Sequence, residues 1–378
     1  MTPLPTTPRV AFTLTQDRGG PVDVCLALAT ELVRTGAADV RVFGPPPARG
    51  TGTLSEHWTT TGVDTKLDVA AARALHAQLR AWRPDVVHAQ DRRAGLVLTG
   101  MRWSRDRPRL LQTYHGVPED VTEPWFRGLP AATSPSRYTR ATLAADAVVG
   151  RVLDRTVVPS EPMRRFLHDR LRLPAGRLVH VDNGLELGPP QPPQRPVRRL
   201  LVVGLLLARK GIGDLLAALA RPGTMPADAH LTIAGDGPER AAIASLAAGF
   251  GGRVEMLGFR SDVPELMRAA DAVVVPSRME QQPLVVIEAM AAGKPVVATD
   301  TGDVATMLDD PRLLAVPGDV DSLAAALRRL FDDPDPAATG RALARRAADR
   351  YSAATAARAH LDLYTALTGA DAPAGRAA

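Results

Sequence analysis

Short apolar runs alternate with longer helix-patterned stretches along nearly the whole chain, and this alternation is the strongest constraint on what it can fold into. The runs RVAFTLT, ADVRVFG, PDVVHAQ, RLLQTYH, RTVVPS and RLVHVDN come first, and RRLLVVG, HLTIAGD, RVEMLGF, DAVVVPS and KPVVATD follow. Strands that are apolar throughout and separated by amphipathic helices belong to parallel sheets covered on both faces. Between the two sets lies GPPQPPQRP, too proline-rich for either kind of element and read as a linker. At 378 residues the chain is long enough for two cores and too short for a third large one. The expectation is an α/β protein of two Rossmann-like domains, residues 1–187 and 197–350, joined by linker 188–196 and facing each other across a cleft. A final helix over residues 351–370 is expected to pack back on the amino-terminal domain. In open parallel sheets ligands bind beyond the carboxyl ends of the strands, so the loops there carry the functional search.

The most informative loop is in RMEQQPLVVIEAMAAGKPVVAT, residues 278–299. Proline suits the first turn of a helix, so a helix is predicted from about Pro283 to Ala292, ending at Gly293. Glu280 then lies in the loop before it, and Glu288 lies roughly 7.5 Å along its axis. The free N–H groups near Leu284 and Val285, with the positive end of the helix dipole, offer an anion site between the two acids. A ligand with hydroxyl-rich ends and phosphate in its middle, such as a nucleotide sugar, has that layout. Two solvated glutamates on a helix surface are the plainer alternative, and geometry alone does not separate the two.

Three other turns bear glycine after a strand: Gly19 and Gly20 in TQDRGGPVDV, Gly204 in VVGLLLARKG with Lys210 ahead of the next helix, and Asp236 with Gly237 in IAGDGPER. The complete dinucleotide fingerprint and the P-loop sequence are both absent. Cys25 is the only cysteine and sits in an apolar helical stretch, which makes it core packing. No apolar run reaches the length of a membrane span, and the opening MTPLPTTPRV lacks a signal-peptide pattern, so a cytoplasmic protein is expected. The net charge of +5 is concentrated in the amino-terminal half, and only three of the 46 basic residues are lysine. With no recognition-helix signature, that excess does not point to nucleic acid. Trp125 and Phe126 with Arg137, Arg140 and Arg151 offer a surface for anionic lipid, but ordinary helix packing is the favoured reading.

Taken in order, the GG loop, PDVVHAQ, TYHG, VVPSE, DNG, KG, GDGPER, LGF and the E-x7-E stretch resemble the retaining family 4 glycosyltransferases, which have the two-Rossmann GT-B fold. The resemblance runs from about residue 9 to 365 and is most specific over 271–299. It implies a sugar transfer from a nucleoside diphosphate sugar to an acceptor hydroxyl with retained configuration, with no metal and no cofactor. It implies that Glu288 binds the ribose, that Glu280 holds hydroxyls of the donor sugar, and that Lys210 meets the diphosphate. His115 is implied beside the reacting centre, Gly19 and Gly20 in the loop over the substrates, and Phe259 and Arg260 at the nucleobase. Gly237, Pro283, Leu284 and Val285 complete the donor-binding set by position. For His88 a structural role is expected; Gln90 stands where the family often has a second histidine.

Three departures bear on the donor. Leu205 replaces a common phosphate-binding arginine, with Arg209 the substitute four residues on. Gln281 and Gln282 replace the usual Gly-Phe and add two amides beside the sugar position. Asp303 and Thr306 replace the second glycine and the acid of the GG-x-x-E segment. The acceptor, whether a small molecule, a glycan or a lipid-linked sugar, is not legible. A nucleotide-sugar epimerase or phosphorylase on the same fold, and a weakly active or non-catalytic nucleotide-sugar-binding protein, stay open as alternatives at this point.

Overall fold

The computed structural model describes residues 7–63, 68–103, 107–130, 132–194 and 196–369. The chain divides into two compact units. The first contains residues 1–118, 135–186 and 352–378, and the second residues 119–134 and 187–351.

In the first unit, seven strands form one parallel sheet: β1 (Arg9–Thr13), β2 (Asp39–Gly44), β3 (Trp58–Thr60), β4 (Val86–Ala89), β5 (Arg109–Thr113), β6 (Arg155–Val158) and β7 (Leu178–His180). Their order is β3-β2-β1-β4-β5-β6-β7. The order reverses between β1 and β4, where Phe12 pairs with His88 and Thr13 with Ala89. Such a reversal opens a crevice at the carboxyl ends of the two strands. Alternation along β1 buries Val10 and Phe12 in one core and Ala11 in another, on the opposite face. This is why the strands read as continuous apolar runs. The free Cys25 is fully buried in the first of these cores.

The helix Ala353–Gly369 contributes Ala357, Tyr364 and Leu367 to that same core. It is anchored where Ala353 N donates to Leu185 O at 2.8 Å. Its close approach needs Gly184, because a Cβ there would lie 2.5 Å from the Cβ of Ala356.

In the second unit six parallel strands follow: β8 (Arg199–Val203), β9 (His230–Ala234), β10 (Val254–Gly258), β11 (Ala272–Val275), β12 (Val296–Thr299) and β13 (Leu314–Ala315), in the order β10-β9-β8-β11-β12-β13. The reversal falls between β8 and β11. Residues 119–134 join this unit because Glu123 and Arg127 bond to Gly302 and Asp300, at the carboxyl end of β12. Phe126 is buried there and Arg127 engaged, so those side chains serve packing. Arg151, in the first unit, is likewise spent on the carbonyls of Ala147, Leu171 and Arg172. Two short edge strands, β3 and β13, were not among the expected runs. No helix among the described residues is long and apolar enough to cross a membrane.

Candidate active site

The loops at the carboxyl edge of the second sheet are pressed together backbone to backbone. A Cβ on Gly235 would stand 1.8 Å from Gly204 O, and one on Gly211 would stand 2.0 Å from Pro276 O. Only glycine permits those approaches, and Gly211 also has φ 65°. The loop after β8 is tied to the loop after β11 where Arg278 N donates to Arg209 O at 2.7 Å and the Arg278 guanidinium grips both oxygens of Asp214.

This stitching brings together two residues 70 apart in sequence. Lys210 Nζ donates to Glu280 Oε1 at 2.5 Å, and Ser277 Oγ donates to the same oxygen at 2.7 Å. Ser277 is itself held, since its carbonyl accepts from Thr299 Oγ1 at the end of β12. The ammonium and the carboxylate are mostly buried, with 23% and 11% of their side chains exposed. Each is therefore fixed by the other, as a half-buried ion pair requires.

The helix Leu284–Ala291 begins one residue later than expected. Pro283 caps it with φ −68° and ψ 123°, a conformation compatible with its ring but extended rather than helical. Val286 N and Ile287 N return to Pro283 O, whereas the N–H groups of Leu284 and Val285 precede any intrahelical acceptor. The helix ends at Ala291, followed by Gly293 in the left-handed region. Glu288 lies on the exposed side of this helix and Glu280 in the loop ahead of it.

Behind the glutamate loop lies the turn Thr301–Asp303. Gly302 packs so closely that a Cβ would lie 2.5 Å from Glu280 O and 2.4 Å from Gln281 O. Asp303 N donates to Gln281 O at 2.8 Å, and Gly302 N donates to Glu123 Oε1 at 3.1 Å. Burial pushes the Glu123 carboxyl up from its ordinary range, against the pull of Arg127, whose guanidinium donates to it at 2.7 Å. Gln281 and Gln282 are both buried. The Gln282 amide reaches Asp303 at 3.4 Å, and neither amide atom of Gln281 has a partner.

The remaining donor candidates fall on the same edge. Gly237, with φ 156°, follows β9, and its N–H donates to Asp236 Oδ1 at 2.8 Å. Phe259 is 81% exposed after β10, and the neighbouring Arg260 pairs with Asp262. Arg209 has an unpartnered buried Nε, and Leu205 is 61% exposed.

In the first unit, His115 follows β5, and its Nε2 is buried without a partner. Desolvation, with His360 nearby, lowers its pKa to about 3, so it is a neutral imidazole. Gly19 caps the helix Gly20–Thr35, and its carbonyl accepts from Val22 N and Asp23 N. His88 is wholly structural: Nδ1 meets Tyr364 Oη at 2.8 Å and Nε2 meets Thr113 Oγ1 at 2.8 Å.

Two family descriptions match this chain, "Glycosyltransferase Family 4" over residues 18–188 and "Glycosyl transferases group 1" over residues 197–333. The chain belongs to glycosyltransferase family 4. The enzyme is 29% identical over 302 residues to a glycogen synthase of Mycobacterium tuberculosis, covering 76% of this chain and 70% of that protein. It is 34% identical over 147 residues to alpha-D-kanosaminyltransferase of Streptomyces kanamyceticus, covering 37% of this chain and 38% of that one. In fold, the glycosyltransferase matches the HepE protein of Anabaena, solved in complex with UDP, with a TM-score of 0.77 and 19% identity over 95% of this chain and 100% of that one. It also matches the sucrose-phosphate synthase of Thermosynechococcus elongatus, with a TM-score of 0.78 and 23% identity over 96% and 100% of the two chains.

The structure thus gathers Lys210 and Glu280 into one network, and sets Arg209, Gln281, Gln282, Leu284 and Val285 on the loops and helix start around it. It adds partners of this glycosyltransferase that reading the sequence missed: Ser277, Asp214, Glu123 and Arg127. Asp214, Glu123 and Arg127 act on this edge through partners 64 or more residues away, which no local pattern marks; only Ser277, three residues before Glu280, has a spacing that invites notice.

Proposed function

We propose that the enzyme transfers a sugar from a nucleoside diphosphate sugar to an acceptor hydroxyl with retention of anomeric configuration and without a metal ion. The observation that carries this reading is the Lys210–Glu280 pair beside the open N–H groups of Leu284 and Val285. A cation, two amides and a helix dipole make an anion site, and a carboxylate at its rim accepts hydroxyls. The UDP complex of the HepE protein lends the donor half support.

In this reading the diphosphate lies against Lys210, Arg209 and the helix start. Glu288, exposed on the same helix, accepts the ribose hydroxyls. Glu280 and the amides of Gln281 and Gln282 face the transferred sugar, and Gly237, Phe259 and Arg260 flank the base. Gly19, Gly20 and His115 belong to the first unit, beyond the carboxyl ends of β1 and β5. The acceptor oxygen bonds to the anomeric carbon on the face from which the diphosphate leaves. The carbon–oxygen bond to phosphate breaks, and the hydroxyl proton passes to the departing phosphate oxygen. Lys210 stabilises the charge that grows there, so its effect belongs to the transition state more than to binding. Among the described residues no group of three or more His, Cys, Asp or Glu side chains is arranged to hold a metal ion.

The test is a panel of nucleoside diphosphate sugars incubated with sugar acceptors, with and without a chelator. Products are read by mass spectrometry, and their anomeric configuration by NMR. Transfer with the donor's configuration, unchanged by chelation, is expected. An inverted product or full loss on chelation would overturn the corresponding part.

A further inference from the structure

At the carboxyl end of β4, in the first unit, Gln90 is 1% exposed, yet neither its amide nitrogen nor its amide oxygen has a partner. Its backbone is satisfied, since Gln90 N donates to Thr13 O at 2.9 Å. Leaving a buried carboxamide unmatched is unfavourable enough that native structures seldom do so without a functional reason.

Side-chain alternation places Gln90 on the same face of the sheet as His88, two residues before it. There the polar groups are used up. Both ring nitrogens of His88 are bonded, and His360 Nδ1 lies 2.8 Å from Ala356 O. Beyond the end of the adjacent β5, His115 Nε2 is a second buried atom without a partner. The neighbouring Asp91 is committed elsewhere, accepting from Thr15 N, Thr15 Oγ1 and Ala94 N at 2.6, 2.7 and 2.9 Å.

The unmatched carboxamide and imidazole at this edge are uncharged; the nearby Arg92 guanidinium, whose Nε is also buried without a partner, has its charge paired with Asp146. A carboxamide both donates and accepts, and so does a hydroxyl. A phosphate or carboxylate only accepts and would meet the carboxamide oxygen badly, while an ammonium only donates.

We infer that Gln90 determines acceptor specificity: its carboxamide grips a hydroxyl of a neutral polyhydroxylated acceptor, a sugar or cyclitol, beside His115. The inference rests on the glycosyltransfer reading above for the ligand's being an acceptor.

The test uses full-length enzyme with UDP present and ligand-observed saturation-transfer NMR. Methyl α-D-glucopyranoside and myo-inositol are the neutral probes, and glucose 6-phosphate is the anionic control. Gln90→Leu should weaken the neutral probes about tenfold, the effect of losing one or two neutral hydrogen bonds. Its melting temperature should be no lower than that of the parent, because an unmatched polar group has been removed. Gln90→Asn, which keeps the carboxamide, should retain part of the binding. Nucleoside diphosphate affinity should stay within about twofold in both variants. Equal binding of the neutral probes by Gln90→Leu and the parent would overturn the inference. So would a lower melting temperature in that variant, a preference for glucose 6-phosphate, or an absence of neutral-probe binding by parent enzyme that binds UDP. Failure of UDP, ADP and GDP alike to bind the parent would strike the donor reading alone, leaving the neutral-probe comparison to decide on Gln90.

Discussion

The carboxyl edges of the two sheets share one topology and differ in how their polar groups are matched. At the edge of the second sheet, charges are paired within the protein: Lys210 with Glu280, Arg278 with Asp214, and Arg127 with Glu123 and Asp300. At the edge of the first, the neutral Gln90 and His115 lack partners, set above histidines that burial keeps uncharged; at the second, the unmatched amide of Gln281 sits beside the paired charges instead. Under the proposed function, the charged edge suits a diphosphate and the neutral groups of the other edge suit hydroxyls. The difference lies in loop residues and in the buried polar side chains His88, Gln112 and Thr113 that strands of the first sheet carry.

The comparison breaks most visibly at Lys210. Lys210→Ala should lower turnover by about 10² to 10³, the usual cost of removing a group aimed at developing charge, with a smaller change in donor KM. Normal turnover with weak donor binding would assign the lysine to ground-state recognition. Because Glu280 loses its partner, the melting temperature should be followed as well; Lys210→Arg should recover part of it.

Acid separates the two edges next. In the folded first unit burial, with His360 nearby, lowers the pKa of His115 to about 3; burial lowers that of His360 to about 4, and burial with those two neighbours holds His88 well below its ordinary value. Unfolded histidines titrate near 6.5. Their contribution is thus intact above about pH 6.5 and is lost as pH falls toward the folded values, at about 1.4 kcal/mol per histidine per pH unit. Hydrogen exchange between pH 7 and about 4.5 should show the helix Ala353–Gly369, which holds His360 and Tyr364, opening before the strands of the second sheet. Simultaneous opening of both units would refute the assignment.

Smaller effects sharpen the picture. Glu288→Ala should weaken nucleoside diphosphate binding by about 1.5 kcal/mol, the low end for a charged hydrogen bond, because the carboxylate is exposed. Equal affinity in a calorimetric titration would remove it from the ribose. Leu205→Arg should strengthen the same binding by about 0.5–1 kcal/mol, since the position is open to solvent and a guanidinium there adds the second phosphate cation. No gain would mean that Arg209 already fills the role.

Eleven of the thirteen strands among the described residues were legible because buried parallel strands are continuous apolar runs bounded by glycine, proline and asparagine. The two that escaped, β3 and β13, are three and two residues long at sheet edges, too short for any period to show. The loop before Leu284 could be read from Pro283 and its flanking acids, although the helix begins one residue later. What could not be read was the pairing. His88 and Tyr364 are 276 residues apart, and Glu123 and Gly302 are 179 apart. Such contacts follow from strand order, which local pattern does not encode. The lack of a partner for Gln90 is likewise a fact about its surroundings, invisible in PDVVHAQ itself.

The central claim is that the charged edge of the second sheet holds the nucleoside diphosphate. Hydrogen-exchange mass spectrometry with and without UDP, ADP or GDP tests it most directly. The account predicts that a binding nucleotide protects the amides of residues 204–211 and 284–287, and that Lys210→Ala reduces this protection. Protection confined to the first unit, or protection at 284–287 that is indifferent to Lys210, would contradict it.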